Sequence, residues 1–188
     1  MAASVGGAST STPEFPVRAA AADRRSHSSV TSATPSHEEL LDIVRAASRV
    51  ADHGALRPWR LIEIRGDARR QLGRSFAKAE HRHGISDKPM RAELLIALVA
   101  SRKKSSKPEW EQDATAAGVA HMLSLLLDEA GWGVFWRSGD YTRAKAVRKA
   151  HSLERNEELL GWLYVGGKKS KGSHPKRPVD PANYLSSM

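Results

Sequence analysis

Apolar and polar positions alternate at helical spacing most clearly in SHEELLDIVRAASRVADHG, residues 36–54, where Leu40, Leu41, Val44, Ala47 and Ala51 mark an inner face. Ser36 followed by Glu39 gives that helix a capping box, and Gly54 gives it a stop. Upstream, Pro16 stands at the first position of an alanine-rich helix, PVRAAAADRR. WRLIEIR at 59–65 is short, apolar and strand-like, whereas DARRQLGRSFAKAEHRHG at 67–84 returns to helical spacing. ELLIALVAS at 93–101 has the length and composition of a buried strand. A long helix over 110–130, a strand through 133–137, a basic helix around 142–151 and the strand LLGWLYVGG complete the pattern.

Helices separate strands nearly throughout, which predicts an α/β or α+β arrangement around one sheet. The 110–130 helix is apolar on almost every face from Ala114 to Leu127, so burial is expected on all its sides. Two arrangements provide that burial: a second subunit related by a two-fold axis, or a central position in a monomer. No internal repeat is present.

Composition narrows the chemistry. A chain of 188 residues suits one domain with a real core. The absence of cysteine excludes disulfides, thiolate metal sites and cysteine nucleophiles, and fits a cytoplasmic location. The apolar runs are too interrupted to span a bilayer, so no membrane partner is expected. Residues 1–15 read as a disordered N-terminal tail, 16–167 as the folded domain, and 168–188 as a basic extension. The N-terminus lacks the apolar core of a secretory signal, but a transit peptide stays open because arginine and serine follow. The formal charge of +9 admits nucleic acid, an anionic cofactor or a solvated basic surface.

Several familiar motifs fail. GKKSKGS at 167–173 lacks the lysine of a phosphate loop after its second glycine, and no G-x-G-x-x-G follows a strand. HRH at 81–83 has no helical i, i+4 pair of histidines and reads as a solvated helix end, not a metal site. No G-x-S-x-G elbow occurs.

Four segments carry the informative chemistry: DRRSHSS at 23–29, RVADHGALRPWR at 49–60, WEQ at 110–112 and WRSG at 136–139. Arginine forks beside hydroxyls receive phosphate dianions well, as Arg24, Arg25, Ser26 and Ser28 do in one polar stretch. Arg49 and His53 stand i, i+4, so a continuing helix would show them on one face. A surface basic turn and a solvated helix end are the plain alternatives for these two groups.

In order and separation, the four segments with GWLYVG resemble the short-chain branch of the nitroreductase-like flavoproteins, from about residue 16 to 166. The resemblance implies an α+β fold with a mostly antiparallel central sheet surrounded by helices. It also implies an intertwined homodimer with FMN in two pockets at the interface. By the same resemblance, Arg24, Arg25 and Ser26 contact the flavin's phosphate, ribityl chain and pyrimidine edge. Arg49 and His53 reach it across the interface, and Trp136, Arg137 and Ser138 are its neighbours at a strand exit. Ala51 departs from the family's Arg-x-Pro-Asp-His, and the final strand lacks its Gly-Thr-Pro exit. The implied activity is hydride transfer from NAD(P)H through FMN to a small flat electrophile: a nitroaromatic, quinone or activated alkene. No residue stands out as a general acid or base, since the flavin carries the redox step. The competing readings are a basic nucleic-acid-binding protein, against which no aromatics interleave the cations, and a flavin-storage protein on the same scaffold without turnover.

Overall fold

The computed structural model describes residues 14–169 and 179–188. Of the tail expected at 1–15, residues 1–13 lie outside them, as does all but Lys168 and Lys169 of the densest basic stretch, KKSKGSHPKR at 168–177. Nine regular elements follow the chain: α1 (Pro16–Asp23), α2 (His37–Ala47), β1 (Trp59–Ile64), α3 (Asp67–Ala79), β2 (Leu94–Ser101), α4 (Glu109–Glu129), β3 (Trp132–Arg137), α5 (Lys145–Ala150) and β4 (Glu157–Gly167). Short 3-10 turns span Lys88–Arg91, Asp140–Arg143 and Pro181–Asn183.

β2 is buried along its whole length because it is covered on both faces and paired on both edges. The sheet order is β1-β2-β4-β3, and every pairing is antiparallel. Leu94, Ile96 and Leu98 pack against α2 and α4, while Leu95, Ala97 and Val99 face the side of α3 and α5. This three-layer α+β arrangement agrees with the fold class drawn from the sequence.

A bulge interrupts β4. Leu98 pairs with Gly161 but Val99 pairs with Leu159, which leaves Leu160 unmatched. The extra residue reverses the strand's parity, so Leu159 shares a face with Trp162 and Tyr164.

Two expectations are corrected. The helix beginning at Ser36 ends at Ala47, not near Gly54. Ser48 donates its hydroxyl to the carbonyl of Arg45 at 2.7 Å, and the Asp52 carboxylate takes the N–H groups of Leu56 and Arg57. These short polar side chains offer the backbone an alternative to further helix. Arg49 and His53 therefore stand on a loop. The second correction concerns the central position in a monomer offered for α4, which lies in an outer layer of the single copy. Val119, Ala120, Leu123 and Leu127 are fully buried, but Ala117, Gly118, Met122, Leu125 and Leu126 are half-covered and His121 is exposed.

Beneath the α3–α5 layer, His151 is locked in one tautomer. Its Nδ1 donates to the carbonyl of Val147 at 2.8 Å and its Nε2 accepts the Trp162 indole N–H at 3.0 Å. Burial pushes its pKa down, favouring the neutral ring. Nearby, Arg60 forks onto Glu157 with two contacts of 2.7 Å, and this holds the Glu157 carboxyl at about 2. Both groups bind protons more readily when unfolded, so stability rises with pH in their windows. We expect stability to fall as pH drops below about 6.5, the ordinary imidazole value, and again between 4.5 and about 2. Urea midpoints measured across this range should show a smaller lower step in Glu157→Gln, with the Glu80 contribution remaining, and an unchanged upper one.

Candidate functional site

Residues 27–33 lie across the ends of β3 and β4. The His27 N–H donates to Val134 O at 2.8 Å, Thr31 N–H to Gly167 O at 2.9 Å, and Gly167 N–H returns to Ala33 O at 2.9 Å. Gly166 permits this crossing: a Cβ there would come within 2.4 Å of Thr31 O. An acidic clamp secures the segment, with Asp128 Oδ1 lying 3.4 Å from both His27 Nε2 and Lys168 Nζ.

The stretch Arg24–Ser26 leads directly into this anchored segment. Arg24 donates to Ser26 Oγ at 3.4 Å, which keeps the two polar groups together. Arg25 turns the other way. Its guanidinium closes the end of α1 on the carbonyls of Ala22, Asp23 and Arg24 at 2.8, 2.7 and 3.1 Å.

Arg137 ends β3 on the α3–α5 face. Its guanidinium carbon lies 4.5 Å from the Phe135 ring centroid and 5.3 Å from that of Tyr164, and one nitrogen donates to Ser28 O at 3.4 Å. Its Nε is buried and meets no acceptor among the described residues. An orphan of that kind is costly unless something outside the chain satisfies it. Arg137 and Ser138 line a recess of about 170 Å³ with Phe76, Lys88, Arg91, Tyr141, Trp162 and Tyr164. Lys88 is steadied by Glu80 at 2.6 Å and by the Tyr141 hydroxyl, and Glu80 is held at about 2 chiefly by Lys88. Burial pushes the Tyr164 phenol up to about 12, so it presents a neutral hydroxyl. The recess thus joins three cationic side chains to aromatic walls, which suits a flat anionic ligand.

Trp136 is on the opposite face of β3, so the structure does not bring it to this recess. Its indole donates to Leu160 O at 3.3 Å and lies 5.1 Å from the His121 ring. It sits over Gly161 in the β4 bulge, where a Cβ would meet Arg137 O at 2.3 Å and Trp136 Nε1 at 2.6 Å.

Arg49 and His53 are placed elsewhere again. Arg49 lines an open groove of about 650 Å³ with Leu41, Val44, Arg57 and Trp59. His53 Nδ1 meets Glu111 Oε2 at 2.9 Å, at the first turn of α4. The Asp128 clamp holding His27 lies seventeen residues further along that helix, about 25 Å at the usual rise. One copy of the chain therefore carries the predicted residues in two separated groups: Arg24, Arg25, Ser26, Arg137 and Ser138 in one, Arg49 and His53 in the other.

Sequence reasoning missed Lys88, Arg91, Tyr141 and Tyr164. Lys88 and Arg91 flank a turn-forming Pro89, and nothing in their spacing links them to β3. Tyr164 was recoverable in part, because it pairs with Phe135 and so shares the face of Arg137.

The fold and sequence agree with known proteins. The nitroreductase family profile matches residues 21–167, and the chain belongs to that family. YdjA of Escherichia coli (strain K12), named as an NAD(P)H nitroreductase, is 30% identical over 172 residues, covering 87% of this chain and 94% of YdjA. Among solved structures, a nitroreductase-like family protein from Bacillus cereus superposes with a TM-score of 0.81 at 19% identity, covering 95% of this chain and 99% of that one. An iodotyrosine deiodinase structure bound to FMN and 3-iodo-L-tyrosine gives 0.67 at 17% identity, covering 87% and 96%. No helix among the described residues is long and apolar enough to cross a membrane.

Gly161 tests the local geometry. Its φ of +138° and the close carbonyl of Arg137 leave no room for a side chain. Gly161→Ala should cost about 2–4 kcal/mol in urea unfolding, near the upper end for a single backbone-strain substitution.

Proposed function

We propose that this chain is an FMN-dependent NAD(P)H oxidoreductase of nitroreductase type, working as a homodimer with each flavin site built from two copies. The observation that carries the reading is the buried Arg137 Nε without an acceptor among the described residues, in a cationic and aromatic recess, while the same guanidinium reaches Ser28 O, two residues beyond the Arg24–Ser26 stretch. A ligand with a phosphate and a flat, electron-poor ring fits that donor set. Family membership and the resemblance to YdjA, named for NAD(P)H nitroreductase activity, point the same way.

Bound FMN would supply two-electron redox chemistry, with hydride taken from NAD(P)H and passed to a small flat electrophile such as a nitroaromatic, quinone or activated alkene. The chain's own residues bind and orient. Arg24 and Ser26 receive the phosphate side, and Arg25 holds the end of α1 so that they stay presented. Arg137 and Ser138 offer donors to the pyrimidine edge, where positive charge from Lys88 and Arg91 favours added electron density. Trp136 fixes the strand end from behind through Leu160 and His121. Arg49 and His53 come from the second copy, which their distance from the first group requires.

The two arginines should fail differently. Arg24→Ala removes charge-assisted hydrogen bonds worth about 1.5–3 kcal/mol, and so weakens FMN binding about tenfold to a hundredfold. Riboflavin, which has no phosphate, should bind that variant as it binds the parent. Arg137→Ala should retain FMN better but slow reduction by NAD(P)H or shift the flavin potential. Fluorescence titration with both flavins and stopped-flow reduction separate these outcomes. Equal, small effects in both variants would place the arginines outside the site, and sedimentation of a flavin-loaded monomer would exclude the two-copy arrangement.

A further inference from the structure

Residues 50–53 are fastened to one stripe of α4 by three successive contacts. Val50 packs on Gly118, where an added Cβ would lie 3.7 Å from its side chain. The carbonyl of Ala51 accepts the Thr115 hydroxyl at 3.2 Å, and His53 Nδ1 meets Glu111 Oε2 at 2.9 Å. Positions 111, 115 and 118 fall on one helix face, so the loop runs antiparallel to the helix. The loop is also braced internally, because Asp52 takes the N–H groups of Leu56 and Arg57 at 3.1 and 2.7 Å. Its carboxylate is thereby turned to backbone, while Glu111 is the one that meets the imidazole. Lys107, Gln112 and Thr115 line the same small cavity.

An ionised carboxylate only accepts hydrogen bonds, so Nδ1 of His53 must be the donor. Nε2 is then the remaining polar atom of the ring, on a side chain 61% exposed. We propose that Glu111 is a positioning residue that holds His53 as an imidazolium, with Nδ1–H on the carboxylate and Nε2–H presented to the phosphate of FMN bound against the other copy. This rests on the two-copy flavin site above. It assigns Glu111 a role beyond favouring the positive end of α4, for which acidic residues in a first turn ordinarily suffice. Outer partners that orient a ligand-binding imidazole are a general device of protein sites.

The test uses the full-length dimer and titrates FMN and riboflavin into the apoprotein. His53→Ala should weaken FMN about tenfold, the loss of one charge-assisted hydrogen bond. Glu111→Gln should weaken it about fivefold through lost orientation, and riboflavin affinity should stay unchanged in both. On the His53→Ala background, Glu111→Gln should have no further effect on FMN, since a residue acting through His53 has nothing left to orient. A substantial effect on that background, or an equal loss of riboflavin affinity, overturns the positioning role. An unaffected Glu111→Gln also overturns it while leaving His53 in the site. An unaffected His53→Ala removes the reading beneath it. Where Glu111→Gln fails to fold, imidazole nitrogen chemical shifts of the FMN-loaded parent protein decide the matter: protons on both Nδ1 and Nε2 support the proposal, and a neutral ring with either nitrogen bare overturns it.

Discussion

One helix sets the spacing on which the candidate chemistry depends. α4 carries an acidic residue near each end, and each ties down a different functional segment: Glu111 meets His53, and Asp128 meets His27 and Lys168. The Asp128 end needs this company, because a carboxylate at a helix C-terminus opposes the helix dipole. Lys168 offsets both charges at once, lying 3.4 Å from the carboxylate and donating to Asp128 O at 2.7 Å. It belongs to the fold through this contact and through its bridge to Val30, although by sequence it opens the basic extension.

The same local pairing recurs through many of the cations among the described residues. Arg60, Arg65, Arg69, Lys88, Arg102, Arg143 and Arg148 each have a carboxylate partner. Most of these pairs are partly exposed and individually contribute little. Of the three cations lining the recess, Lys88 and Arg91 also face carboxylates, and Arg137 packs on aromatic rings instead, with no carboxylate partner among the described residues. A nucleic-acid surface would need the reverse distribution, with cations aligned outward along a groove.

Much of the framework was legible because it follows from local chemistry. Pro16 opens α1, Ser36 Oγ accepts the Glu39 N–H at 3.1 Å, and the unbroken apolar run of β2 is buried throughout. The limits are equally physical. The Glu39 carboxylate is taken by the Trp132 indole at 2.6 Å, a partner ninety-three residues away that no local pattern announces. The end of α2 was set by side chains of Ser48 and Asp52 competing for backbone, against an apolar periodicity that continued past them. Strand parity alone would have separated Trp136 from Arg137, since neighbours on a strand point to opposite faces. The bulge at Leu160 defeats that same parity in β4, and it becomes visible only when the pairing is known. The recess was the least legible part, because Phe76, Lys88, Arg137 and Tyr164 come from four segments that meet only in three dimensions.

The arrangement also accounts for apolar surface that one copy leaves uncovered. Leu41 is half exposed beside Val44 and Trp59, and the outer stripe of α4 carries the half-covered Ala117, Met122 and Leu125. Hydration of exposed apolar area is unfavourable by about 25 cal/mol per Å², enough to favour a partner when a patch is extended. Arg49 lines the Leu41 groove, and the loop bearing His53 is clamped to α4 itself. A second copy covering this apolar face, as proposed above, would stand beside the same two residues that the Arg137 group cannot reach within its own copy. On the proposed two-copy reading, association and completion of the flavin site would be one event: the apolar contact would supply the driving force, and the separated cations its chemical purpose.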